Sequence, residues 1–143
     1  MKVSDAMTSQ VSVARPTDTI RQVAQTMAKV ESGVVPVVDD GKVVGVVTDR
    51  DIVLRVVAEG RSFDSAVSDV MSDGEVLSVK EDDILADATA KMANNQVRRL
   101  VVLNNAGNLS GILSLGDVAK DYGAKQVGKT LEEISQEPGD AAH

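Results

Sequence analysis

A chain of 143 residues with 25 valines, net charge −7 and a sequence pI near 4.6 has room for one domain or two small ones. There is no cysteine, the single histidine is His143 and the aromatics are Phe63 and Tyr122, so disulfide frameworks, thiolate or histidine catalysis and His/Cys zinc sites lack their parts. The acidic charge argues against a nucleic-acid surface, and no stretch is apolar and unbroken enough for a secretory or bilayer-spanning segment, so the expectation is a cytoplasmic, non-membrane protein.

Taken in chain order, the hydrophobic pattern changes period in a fixed succession. Val11-Ser12-Val13 is a short strand candidate. Asp18 or Thr19 then opens a helix whose apolar residues Ile20, Val23, Ala24 and Met27 recur at the spacing of one helix face. Val34 to Val38 hardly alternates, as expected of a buried strand. Asp40-Gly41 signals a tight hairpin, Val43 to Val47 the returning strand, and Thr48 to Ala58 a second helix. The pattern then starts again, with strand Val76 to Val79, helix Ile84 to Met92, strands Leu100 to Leu103 and Leu109 to Leu113, and a helix from Ser114.

This succession is an internal repeat. Val3-Ser4-Asp5-Ala6-Met7-Thr8 returns as Val67-Ser68-Asp69-Val70-Met71-Ser72, and Met27 returns as Met92. Gly45-Val46-Val47-Thr48 with Asp51-Ile52 returns as Gly111-Ile112-Leu113-Ser114 with Asp117-Val118. A period of about 65 residues is too long for a solenoid and fits two fused modules. Each reads β-α-β-β-α with a three-stranded sheet, and one alone is marginal. The expected fold class is α/β, of the α+β type, with the two repeats packed sheet to sheet about a pseudo-two-fold. The repeats span residues 1–62 and 63–122, and 123–143 forms a linker, short helix and tail.

Gly33-Val34-Val35-Pro36-Val37-Val38-Asp39, a hairpin, and Gly45-Val46-Val47-Thr48-Asp49-Arg50-Asp51-Ile52 resemble a cystathionine-β-synthase (CBS) domain. Val97-Arg98-Arg99-Leu100-Val101-Val102 with Gly111-Ile112-Leu113-Ser114-Leu115-Gly116-Asp117-Val118 resembles a second, so the chain is similar to a stand-alone CBS pair, a Bateman module. The resemblance implies a non-catalytic sensor that binds AMP, ADP, ATP or S-adenosylmethionine between its repeats, needs no other cofactor, forms a homodimer and signals to an effector protein. It places Asp51 and Asp117 on ribose hydroxyls, with Thr48 and Ser114 beside them. Val101 departs from the family by standing where a proline is usual.

The residues themselves support a chemistry for such a site. A carboxylate accepts from both vicinal hydroxyls of a ribose but repels phosphate, which leaves Arg50, Arg98 and Arg99 as the cationic candidates. Val13, Val35 and Pro36 are the candidate apolar wall for adenine. Helix N-H groups just after Thr48 would face an anion. Thr48-x-x-Asp51 and Ser114-x-x-Asp117 equally read as capping boxes, in which case the chain is an interaction or dimerisation module with no nucleotide site. Gly123-Ala124-Lys125-Gln126-Val127-Gly128-Lys129-Thr130 fits the P-loop pattern but follows a helical stretch rather than a strand, so a linker and a short helix from Thr130 are expected there instead. The acidic clusters Asp39-Asp40 and Glu81-Asp82-Asp83 read as a turn and a helix start, and no metal site is expected.

Overall fold

The computed structural model describes residues 1–72, 76–121 and Ile134. In chain order its elements are helices α1 (Val3–Ala6) and α2 (Ile20–Val30), then strands β1 (Val34–Asp39) and β2 (Lys42–Thr48). Helix α3 (Asp49–Ile52) runs on as a π-helical turn over Val53–Val57, and a 3-10 turn follows at Val67–Asp69. Strand β3 (Ser78–Lys80), helix α4 (Leu85–Asn95), strands β4 (Arg99–Leu103) and β5 (Leu109–Ser114), and helix α5 (Leu115–Asp121) complete the chain. The fold is mixed α and β, as the repeat pattern predicts.

Local chemistry explains most of these bounds. Thr19 caps α2, its hydroxyl accepting from the Gln22 N–H at 3.1 Å while the Gln22 side chain accepts from the Thr19 N–H. Ile20, Val23 and Met27 are buried along one face of that helix, whereas Ala24 of the predicted stripe is exposed. Asp40 and Gly41 both take positive φ, 51° and 78°, as a type I′ hairpin turn requires. The loop between β4 and β5 is longer, and there Gly107 alone takes positive φ.

The two sheets differ by one strand. β3, β4 and β5 form a three-stranded sheet, β3 parallel and β5 antiparallel to β4. β1 and β2 form only an antiparallel pair, so the strand expected at Val11–Val13 is absent and a single parallel bridge, Ala14 to Val37, stands in its place. The cause lies in two prolines of the first repeat whose counterparts in the second are Val101 and Glu81. The Val101 N–H donates to the Leu77 carbonyl at 3.2 Å, adding a rung that extends the ladder. Its counterpart Pro36 has no N–H to give, and neither has Pro16, the counterpart of Glu81, whose N–H donates to the Leu103 carbonyl at 2.9 Å. The first sheet therefore keeps only the bonds from Ala14 N–H to the Pro36 carbonyl and from Val38 N–H to the Ala14 carbonyl.

The chain divides into two compact units, Val11–Val76, and Met1–Gln10 with Leu77–His143. The first ten residues therefore complete the unit of the second repeat, and the opening segment of the second repeat completes the unit of the first. The bonding is the same in both. Ile20 N–H donates to the Ser65 carbonyl and Val67 N–H to the Asp18 carbonyl. In the other unit Leu85 N–H donates to the Met1 carbonyl and Val3 N–H to that of Asp83. Val67 is fully buried with Ile20, Val23, Val35, Val37 and Val47. Val3 is fully buried with Leu85, Met92, Leu100, Val102 and Leu113. Met27 and Met92 fill their respective cores.

Both segments approach a strand glycine. A Cβ on Gly111 would lie 2.5 Å from the Thr8 carbonyl oxygen, and one on Gly45 2.7 Å from that of Ser72. Because the obstacle is backbone, Gly111→Ala and Gly45→Ala should each cost about 1–3 kcal/mol through displacement of the docked segment. Urea unfolding checks this, and a variant as stable as the parent contradicts it. The P-loop-like run at 123–130, the expected helix from Thr130 and the tail fall outside the described residues, apart from Ile134, which is helical and buried with Val3 and Leu85.

Candidate functional site

Strand β2 ends at Thr48, opposite Val34 of β1, and α3 begins with the next residue. The Thr48 hydroxyl accepts from the Asp51 N–H at 3.0 Å, and Asp51 Oδ2 accepts from the Thr48 N–H at 2.9 Å. The Asp49 N–H donates to the Gly33 carbonyl at 3.0 Å and the Arg50 N–H to Asp49 Oδ1 at 2.8 Å. All four backbone donors from Thr48 to Asp51 are thus satisfied within the unit. The expectation that free N–H groups here would face an anion is corrected, and any anion recognition in the first repeat falls to side chains.

Asp51 keeps one oxygen uncommitted to the cap. Its side chain is only 13% exposed, and Oδ1 lies 3.9 Å from Nε of Arg55. Arg50, next to it, is exposed. Val35 is spent in the core, since a strand alternates its faces and Val35 and Val37 point inward. Pro36, also buried, belongs to the other face of β1. Val13 is 47% exposed and precedes Ala14, whose N–H donates to the Pro36 carbonyl. Pro36 and Val13 are therefore adjacent, while Val35 stands apart from them.

The second repeat builds the same box. The Ser114 N–H donates to Asp117 Oδ2 at 3.0 Å and the Asp117 N–H to the Ser114 hydroxyl at 3.1 Å. Arg99 is the cross-strand partner of Ser114, and the Arg98 carbonyl accepts from the Leu115 N–H at 2.9 Å. Both arginines are thereby fixed beside the box. Their side chains are exposed, with no ion pair among the described residues. The counterparts in the first repeat are Gly33 and Val34, and a Cβ on Gly33 would lie 2.9 Å from Asp49 Oδ2. In the first repeat Gly33 leaves room for the Asp49 carboxylate, whereas the second repeat has Arg98 in place of Gly33 and Leu115 in place of Asp49. Gly116 is exposed, and a Cβ there would meet only Ser114 Oγ at 3.7 Å, so packing does not demand glycine.

Sequence reasoning missed Arg55, although its spacing of four from Asp51 on a helix was a usable signal. Two open cavities of about 370 and 280 Å³ lie by the hairpin ends of the sheets, lined among others by Lys80 and Asn104 and by Arg15 and Asp39. None of the candidate residues lines them. Among the described residues no three His, Cys, Asp or Glu side chains gather into a metal-binding group, and no helix is long and apolar enough to cross a membrane.

Two repeats of one α/β pattern, the first lacking the opening strand of the second and each with a Thr/Ser–Asp box where its last strand meets its last helix, define a duplicated module. The family model "CBS domain" matches residues 3–58 and 67–123, and the chain belongs to the CBS domain family. It is 40% identical over 136 residues to the CBS domain-containing protein YhcV of Bacillus subtilis, spanning 94% of this chain and 96% of that one. The solved CBS domain protein PAE2072 of Pyrobaculum aerophilum, complexed with AMP, matches with TM-score 0.77 and 26% identity over 92% of this chain and 99% of its own. A CBS domain protein of unknown function from Thermoplasma acidophilum, TA0289, matches in fold with TM-score 0.81 at 23% identity, over 96% of this chain and 78% of its own. CBS domain pairs of this kind are generally regulatory and non-catalytic.

Proposed function

We propose that this chain is a non-catalytic regulatory module that binds an adenosine-containing ligand and passes its occupancy to a partner protein. The observation that carries this reading is the duplicated box, in which each carboxylate is oriented by a backbone N–H. The AMP complex of a structural relative supports an adenine nucleotide as the ligand. On this reading Asp51 and Asp117 take ribose hydroxyls, Thr48 and Ser114 hold those carboxylates in place, and Pro36 and Val13 offer apolar area to the base. The protein works as a homodimer in the cytoplasm, and its effector reads the ligand-dependent shift in conformation.

The two boxes then differ in taste. Arg98 and Arg99 favour a ligand with several phosphates at the second repeat, whereas Asp49 opposes phosphate at the first, where Arg50 is the nearest cationic candidate. Titration calorimetry with AMP, ADP, ATP and S-adenosylmethionine tests the proposal, and absence of saturable binding by all four overturns it. Arg98→Ala with Arg99→Ala should weaken ATP about tenfold, roughly one charge-assisted contact, while leaving adenosine nearly unchanged.

A second reading, an interaction module with empty sites, draws on one observation. Val53, Leu54 and Val57 lie exposed on the π-helical turn, an apolar strip suited to a protein partner. This reading expects a melting temperature that no nucleotide moves.

A further inference from the structure

Arg55 touches more than Asp51. Its Nη1 donates to the Val70 carbonyl at 3.0 Å and to the Met71 carbonyl at 3.3 Å, while its Nε faces Asp51 Oδ1 at 3.9 Å. Val70 and Met71 belong to the segment that docks on β2, where the Ser72 N–H donates to the Val46 carbonyl at 3.0 Å and Gly45 admits the close approach. A few residues further on, the chain leaves this unit for the other one at Leu77. One guanidinium thus bridges the carboxylate of the box and the segment docked on β2 within the same unit.

We propose that Arg55 is a positioning residue that couples the carboxylate of Asp51 to the docking of the Val67–Ser72 segment, so that a ligand engaging Asp51 alters how firmly that segment is held. The guanidinium suits this task because its planar fork serves a carboxylate and carbonyls at once, which a lysine ammonium does poorly. Hydroxyls donating to Asp51 Oδ1 compete with Arg55 for the same lone pairs and change the charge that the guanidinium sees. Asp121 occupies the position in the second repeat equivalent to Arg55, so the coupling belongs to the first repeat alone. The regulatory half of this inference rests on the reading of Asp51 as a ligand contact; the mechanical half does not.

Hydrogen exchange at Met71 and Ser72 separates the halves. The Ser72 N–H donates to the Val46 carbonyl of β2 and the Met71 N–H to the Val67 carbonyl within the segment, so Ser72 reports docking and Met71 the order of the docked turn. In ligand-free protein, Asp51→Asn retains the acceptor for the Thr48 N–H but removes the charge. It should speed exchange at these two amides about fivefold when Arg55 is present and less than twofold in the Arg55→Gln background. Arg55→Lys, which keeps the charge, should restore part of the difference. Equal acceleration in both backgrounds, or no rescue by lysine, overturns the coupling. In a second arm, AMP should change exchange at the same amides in the parent and leave it unchanged in Arg55→Gln. A parent that binds AMP without any such change overturns the ligand-linked half. A parent that binds no AMP in calorimetry overturns the nucleotide reading together with that half, and the ligand-free cycle then decides the coupling by itself.

Discussion

Removing Met1–Gln10 should destabilise the second repeat and leave the first almost untouched. Val3, fully buried, is torn from a core that includes Leu85, Met92, Leu100 and Leu113. The backbone bonds from Leu85, Val3 and Ser4 N–H to the Met1, Asp83 and Glu81 carbonyls are lost, as is the reciprocal pair between Thr8 and Ile112. Ordering these residues costs conformational entropy, which offsets part of the gain. The net loss should still be about 3–5 kcal/mol from the cavity and the unpaired groups together. Against the roughly 5–15 kcal/mol of a whole domain this is a large fraction. Peptide-level hydrogen exchange reads the location directly. Protection should fall across residues 77–121 and persist across 11–72. Loss confined to 11–72 would mean that each repeat is completed by its own opening segment, contrary to the bonding described above.

That exchange of segments was the least legible part of the fold. Val3-Ser4-Asp5-Ala6-Met7-Thr8 and Val67-Ser68-Asp69-Val70-Met71-Ser72 are near-copies, so either would satisfy Ile20 or Leu85 equally, and local chemistry cannot choose between them. The choice is tertiary. The helices and hairpins were legible because their determinants are local: the Thr19 cap, the spacing of Ile20, Val23 and Met27, and the Asp40-Gly41 turn. The missing first strand was recoverable in principle from Pro16 and Pro36, whose absent N–H groups remove a rung at either end of the ladder. The box residues were legible through repetition, since one Thr-x-x-Asp is an ordinary cap and two at matching places suggest more. Arg55 escaped because its carbonyl partners, Val70 and Met71, are fifteen and sixteen residues away and carry no side-chain signal.

Cap and ligand contact are separable by substitution, and the largest functional effect is expected where they part. Asp51→Ala and Asp117→Ala each remove the acceptor for the N–H of Thr48 or Ser114, which costs about 0.5–2 kcal/mol of stability as any lost cap does. If the carboxylate also takes two ribose hydroxyls, each charge-assisted bond adds about 1.5–3 kcal/mol, so affinity at that site should fall by roughly a hundredfold or more. Thr48→Ala is the informative contrast. It removes the hydroxyl that accepts from the Asp51 N–H but leaves the carboxylate and its bond to the Thr48 N–H in place. It should therefore lower stability to a similar degree while reducing affinity far less. Calorimetric titration with AMP, set beside urea unfolding of the same three variants, reads both quantities. Should all three lose stability alike while AMP affinity stays at the parental value, the boxes are caps and nothing more, and the exposed strip of Val53, Leu54 and Val57 becomes the better guide to what the protein does.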